Sequence, residues 1–149
     1  MEFSALEFSQ WLQEKNTFEG VAGIRCRKME VGYCEVEAEV ETGKLNPAGN
    51  AHGGFLFTMV DIASGVAASM TKDGYRRLVT QNASIFYLRG AQCGEKLWAG
   101  AQVVHSGRST SHVQAKVFNE AGDVLVRGEL TFFHLNGIYR SMEELRSGM

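Results

Sequence analysis

Residues 33–42, YCEVEAEVET, alternate without a break, with Cys34, Val36, Ala38 and Val40 on one face and Glu35, Glu37, Glu39 and Glu41 on the other. A period of two is that of a strand with one wet face, and the acidic row reads as that solvated face. The second half of the chain repeats the signature in VTQNASIFYL (79–88), KLWAGAQVVH (96–105), TSHVQAKVF (110–118) and VLVRGELTFFHL (124–135). Between these lie the turn-forming segments RGAQCGE (89–95), SGR (106–108) and NEAGD (119–123), so the pattern predicts an antiparallel meander. Adding residues 20–30 and 33–42 brings the expected count to five or six strands. Residues 52–71 form the one long helix candidate. They are apolar on nearly every side, which predicts burial all round. The N-terminal MEFSALEFSQWLQEK predicts a short helix over 1–16. Ser4 and Glu7 match a capping box, and Phe3 and Phe8 stand at the spacing of a hydrophobic staple. One buried helix and one long sheet that must cover it give an α+β class with the sheet wrapped around the helix. The expected organisation is a single domain over 1–149, with its core at 20–136 and a tail at 137–149.

Composition narrows the function classes. The chain has 149 residues, 44% of them hydrophobic, which suits one globular domain. A net charge of −2 leaves no basic stripe to displace counterions, so nucleic acid is not an expected partner. The cysteines, Cys26, Cys34 and Cys93, are odd in number with no close pairing in sequence, which suits free thiols in a reducing compartment. No CxxC or HxxxH spacing occurs, and no metal is expected. The N-terminus lacks the basic and apolar regions of a signal peptide. The 51–70 stretch is too interrupted by Gly53, Gly54, Asp61, Ser64, Gly65 and Ser69 to span a bilayer. A cytoplasmic location without membrane contact is the expectation.

The chemistry centres on Asp61, a carboxylate inside the apolar run FLFTMVDIASGVAA (55–68). Local bonding to Thr58 or Ser64 along the helix is one account of it. It does not explain why an apolar residue was not used, since a carboxylate there carries a desolvation cost. The string NPAGNAHGG (46–54), followed by an acid at 61, resembles the hotdog-fold acyl-CoA thioesterases of the phenylacetate-degradation type. The likeness covers most of residues 20–135 and takes in Thr80, the YLR segment at 87–89 and the SGRS turn at 106–109. Gly90 departs from it, standing where relatives often carry proline. The resemblance implies a hotdog fold, hydrolysis of acyl-CoA without a metal or redox cofactor, and a homodimer, with a dimer of dimers as the expected assembly.

Residue roles follow from that frame. Thioester hydrolysis needs donors for the developing oxyanion and a base or nucleophile for the attack. The free N–H groups and partial positive charge of a helix start make Gly53, with Gly54 beside it, a sensible oxyanion donor. Asp61 is expected to act as base or nucleophile. The resemblance places Asn46 near the thioester, His52 as an orienting residue of the loop and Thr80 as a positioner of water. Arg89 and Arg108 are candidates for the coenzyme A phosphates, with Gly107 and Ser109 beside them. His105, His112 and His134 have no evident partner. Phe55, Phe57, Met59, Phe86 and Tyr87 could line an acyl pocket, although most of them read as core. Gly53 and Asp61 are eight residues apart, about 12 Å along one helix. One helix therefore cannot bring both to one carbonyl, and a site shared across a two-fold axis follows if both are catalytic. Two other functions are kept open: a hotdog dehydratase or hydratase, and a non-catalytic acyl-CoA-binding regulator.

Overall fold

A computed structural model describes residues 3–148. Its centre is α3, Gly53–Ser69, wrapped by one antiparallel sheet of seven strands in the order β1-β2-β5-β6-β7-β4-β3. The strands are β1 (Arg25–Glu30), β2 (Tyr33–Glu39), β3 (Met70–Thr71), β4 (Gly74–Tyr87), β5 (Lys96–Ser106), β6 (Thr110–Asn119) and β7 (Val124–Tyr139). Short helices α1 (Ala5–Glu14), α2 (Phe18–Val21) and α4 (Met142–Gly148) complete it. This is the hotdog arrangement, and the long helix and the β5–β6–β7 meander stand where the patterning puts them. The expected four-strand meander is not formed, because the chain crosses from β4 to β5 on the far side of the sheet, where β5 pairs with β2, and β4 pairs with β7 instead.

The capping box forms in part, with the Ser4 hydroxyl accepting from the Glu7 N–H. Phe3 and Phe8 share Tyr75, their rings 6.0 and 5.7 Å from its centroid. Where β7 passes under α3, Gly128 permits close approach, because a Cβ there would lie 3.1 Å from Val60. The core under the helix is Leu56, Met59, Val60 and Ala63 against Val36, Leu97, Val113, Val117, Leu130 and Phe132.

Several expectations need correction. The strand count is seven. Residues 20–24 are not strand, because Thr17 caps α2 by accepting from the Gly20 N–H and turns the chain first. The 137–149 tail contributes the end of β7 and a helix. The acidic row is paired rather than only solvated, with Arg25 3.6 Å from Glu37 and Arg27 3.5 Å from Glu35 across the β1–β2 ladder. Cys26 and Cys34 are free thiols, yet the register brings their sulfurs to 3.8 Å. Among the described residues no helix is long and apolar enough to cross a membrane. Finally, α3 is not buried all round. Gly54, Phe57, Thr58, Asp61, Ile62 and Gly65, spaced as one helical stripe, remain partly open.

Candidate active site

The loop into α3 is built by its own polar groups. Asn46 Oδ1 accepts from the Ala48 and Asn50 N–H groups, both at 3.0 Å. Gly49, at φ 86°, closes the turn in the left-handed region that favours glycine. The Ala51 N–H donates to the Ala91 carbonyl at 2.7 Å, tying the loop to the segment after β4. The Asn46 carbonyl oxygen is thus occupied in holding the loop.

His52 is the N-cap of α3, and its Nδ1 accepts from the Gly54 N–H at 2.8 Å. That bond needs an unprotonated Nδ1, so a neutral ring carries its proton on Nε2. It also occupies the Gly54 amide. The Gly53 N–H, by contrast, has no hydrogen-bond partner among the described residues. The helix start therefore offers one free amide, at the position expected to be the oxyanion donor. Tyr87, which the patterning singled out only as a pocket residue, donates its hydroxyl to the Gly53 carbonyl at 3.0 Å. Its ring would lie 3.4 Å from any Cβ at Gly53. The YLR segment was the one sequence sign of that role.

Asp61 sits half-buried two turns along the helix. Neither proposed local partner holds it. Thr58 bonds back to the Gly54 carbonyl at 2.7 Å, and Ser64 Oγ is buried without a partner among the described residues. The hydroxyl of Thr80, on β4, donates to Asp61 Oδ1 at 2.8 Å. Burial pushes the Asp61 carboxyl above the ordinary range, the Thr80 bond pulls it back, and the nearby Glu19 charge pushes it up again. Asp61 and Thr80 open into a cavity of about 600 Å³ between α3, β4 and the N-terminal helices, with Phe8, Trp11, Ile62 and Leu78 in its walls. The carboxylate is reachable.

The remaining expectations lie elsewhere. Arg89 is held 2.8 Å from Asp123 at the neighbouring hairpin. Arg108 is exposed on the 106–110 turn and has no carboxylate partner among the described residues. Gly107 closes that turn by donating its N–H to the Thr110 carbonyl at 2.8 Å. The Ser109 carbonyl accepts from the His134 N–H at 2.8 Å. His134 is far from partnerless: its Nε2 lies 2.7 Å from Ser111 Oγ and 2.9 Å from Arg76 Nη1, and its Nδ1 is 3.2 Å from the Arg108 carbonyl. His112 Nδ1 is 3.3 Å from the Thr131 hydroxyl, and the His105 and His112 rings lie 6.3 Å apart. Phe55 and Met59 are core, as read, whereas Phe86 and Tyr87 are 63% and 50% exposed. The described residues contain no group of three or more potential metal ligands.

Residues 48–126, which span the helix start, Asp61, Thr80 and Arg108, match the thioesterase superfamily. The chain belongs to that family. It is a thioester hydrolase by membership, and its fold is the hotdog of that family. It is 28% identical to the acyl-coenzyme A thioesterase PaaI of Escherichia coli over 80% of this chain and 84% of that one. The solved PaaI structure superposes with a TM-score of 0.81 at 25% identity, covering 90% and 95% of the two chains. Human acyl-coenzyme A thioesterase 13 is 29% identical over 86% of this chain and 92% of its own. The Streptococcus mutans protein smu.793, solved bound to acetyl CoA, is 32% identical with a TM-score of 0.73, covering 78% and 91%.

Proposed function

We propose that this protein hydrolyses acyl-CoA thioesters to the free acid and coenzyme A, at two sites shared between the subunits of a homodimer. The observation that carries this reading is the division of labour along α3. The free Gly53 amide opens the helix, and the reachable Asp61–Thr80 pair lies eight residues on, about 12 Å away. A sister helix running antiparallel supplies the missing half of each site. The half-open stripe on α3 that contains Asp61 is the face such a helix would cover. The E. coli and human relatives are named acyl-coenzyme A thioesterases, and the S. mutans relative binds acetyl CoA, which supports coenzyme A as the leaving group.

In this reading Thr80 holds one oxygen of Asp61 and the other takes a proton from water. The water oxygen bonds to the acyl carbon while the carbonyl oxygen, becoming an oxyanion, accepts from the Gly53 N–H of the other subunit. Collapse breaks the C–S bond, and the proton held by Asp61 passes to sulfur. His52 keeps the helix start in shape by occupying the Gly54 amide, and Asn46 fixes the preceding loop. Arg108, with Gly107 and Ser109 forming its turn, meets the phosphates; Arg89 contributes there only in competition with Asp123. No metal or redox group takes part.

Subunit mixing tests the shared site. Asp61→Ala and Gly53→Val chains are each expected to release no thiol from an acyl-CoA. A heterodimer of the two has one intact site and one with both defects, so activity returns to one site per heterodimer. Exchange of subunits without any return of activity would refute the shared site.

A further inference from the structure

The Asp61 cavity has a second charged end that hydrolysis does not use. Arg76, on β4, lines it together with Leu78, Phe132 and Leu135. Arg76 is half-buried and has no carboxylate partner among the described residues. Its Nη1 donates into the ring of His134, 2.9 Å from Nε2. Burial pushes His134 below its ordinary value, the bond to the Arg108 carbonyl opposes this, and the Arg76 charge adds to the lowering. A guanidinium carries five donors and a fixed positive charge. A half-buried one whose neighbour is an imidazole and not a carboxylate has given up solvent without receiving an anion in return.

The position along the strand separates this charge from the reacting centre. His134 pairs with Leu78 in the β4–β7 ladder, and Thr80 pairs with Phe132. The Arg76–His134 contact therefore lies about 7 Å along the strand from the Thr80 that holds Asp61. Between them the wall is apolar, made by Leu78, Phe132 and, from α3, Ile62 and Val66. The acid on the wall besides Asp61 is Glu19, close enough to push the Asp61 carboxyl up and to act on Tyr75 as well. The cavity thus runs from a thioester end, past an apolar middle, to Arg76. The other cations on its lining are Lys15, over the Trp11 ring, and Arg77, which donates to the Asn136 carbonyl at 3.3 Å.

We propose that the preferred acyl group carries a carboxylate at the end distant from the thioester, received by the Arg76 guanidinium, with an aliphatic middle against Leu78 and Phe132. This rests on the thioesterase reading and specifies its substrate class as ω-carboxyacyl-CoA.

The test compares two thioesters of equal chain length, adipoyl-CoA and hexanoyl-CoA, by thiol release from the full-length protein. Adipoyl-CoA should have the higher kcat/KM by about tenfold or more, the scale of one charge-assisted hydrogen bond. Arg76→Met should collapse the ratio towards one, chiefly through KM for adipoyl-CoA, and Arg76→Lys, which keeps the charge, should retain part of it. A wild-type ratio at or below one overturns the proposal. So does an unchanged ratio in Arg76→Met. Should Arg76→Met not fold, Arg76→Gln takes its place, and an unchanged ratio in that folded variant overturns the proposal in the same way. Cleavage of hexanoyl-CoA but not adipoyl-CoA sinks this inference alone. Absence of thiol release from these two and from aromatic acyl-CoAs sinks the thioesterase reading itself.

Discussion

Asp61 is held between opposing influences, and the balance fixes how activity depends on pH. Burial and Glu19 raise its pKa, and the Thr80 hydroxyl lowers it. A base must be deprotonated, so the acid limb of kcat/KM is expected above the ordinary aspartate range. Thr80→Val removes the one lowering influence and should move that limb to higher pH; Glu19→Gln removes a raising one and should move it lower. A pH–rate profile of each variant checks the signs, and shifts in the same direction would contradict them. The stability consequence has its own sign. A carboxyl whose folded pKa is raised stabilises the fold fully below the unfolded aspartate pKa and loses that contribution as pH rises through the folded value. Asp61→Asn should therefore melt higher than wild type at neutral pH and not at low pH. Asp61 and Gly53 were legible in the sequence because a single segment carries both. Arg76, His134 and Ser111 were not, since they come from three strands and meet only through the Leu78–His134 and Ser111–Phe132 register.

At the scale of elements, α3 and β7 owe their closeness to one missing methyl group. A Cβ at Gly128 would lie 3.1 Å from Val60 and 3.4 Å from Leu130, tighter than relaxed packing tolerates. Gly128→Ala is expected to cost about 1–3 kcal/mol in denaturant unfolding. Combining it with Val60→Ala should cost less than the sum of the two single changes, because the second change makes room for the first. Strict additivity would mean that the helix and strand do not press together there. The same closeness positions the site, since it sets α3 at the height where Thr80 reaches Asp61. The long elements could be read because their hydrophobic periods run for many residues. The shortest could not, whereas α1 was legible through its cap and staple residues. β3 has two residues, and α2 has four, set by a single threonine cap. The start of β4 was hidden because its ladder shifts between Arg76 and Leu78 and again between Thr80 and Asn82, which breaks the alternation on which the reading depends.

At the scale of the whole molecule, the sheet ends in an unfinished edge. β3 pairs with β4 only through Gly74 and Tyr75, so the outer edge of β4 from Arg76 to Tyr87 has no neighbour in the described chain. Val79, Phe86 and Tyr87 on that strand and Leu88 beyond it are exposed. A long unpaired edge with apolar side chains is a template for another strand. The same region carries Thr80, and next to it runs the half-open stripe of α3. A second copy pairing β4 to β4 about a two-fold axis would extend the sheet and bring the two α3 helices side by side, as the shared site requires. Asn82 and Ser84 lie near the middle of that edge and are exposed. Lysines at both positions would face their own copies across the axis, where like charges oppose pairing. The Asn82→Lys/Ser84→Lys protein should sediment as a monomer with its circular dichroism retained. Its turnover should fall by about 10²–10³-fold, the scale of losing an oxyanion donor. A monomer that keeps full turnover would mean that one chain holds a complete site, and a dimer that persists would mean that the two copies meet on another face.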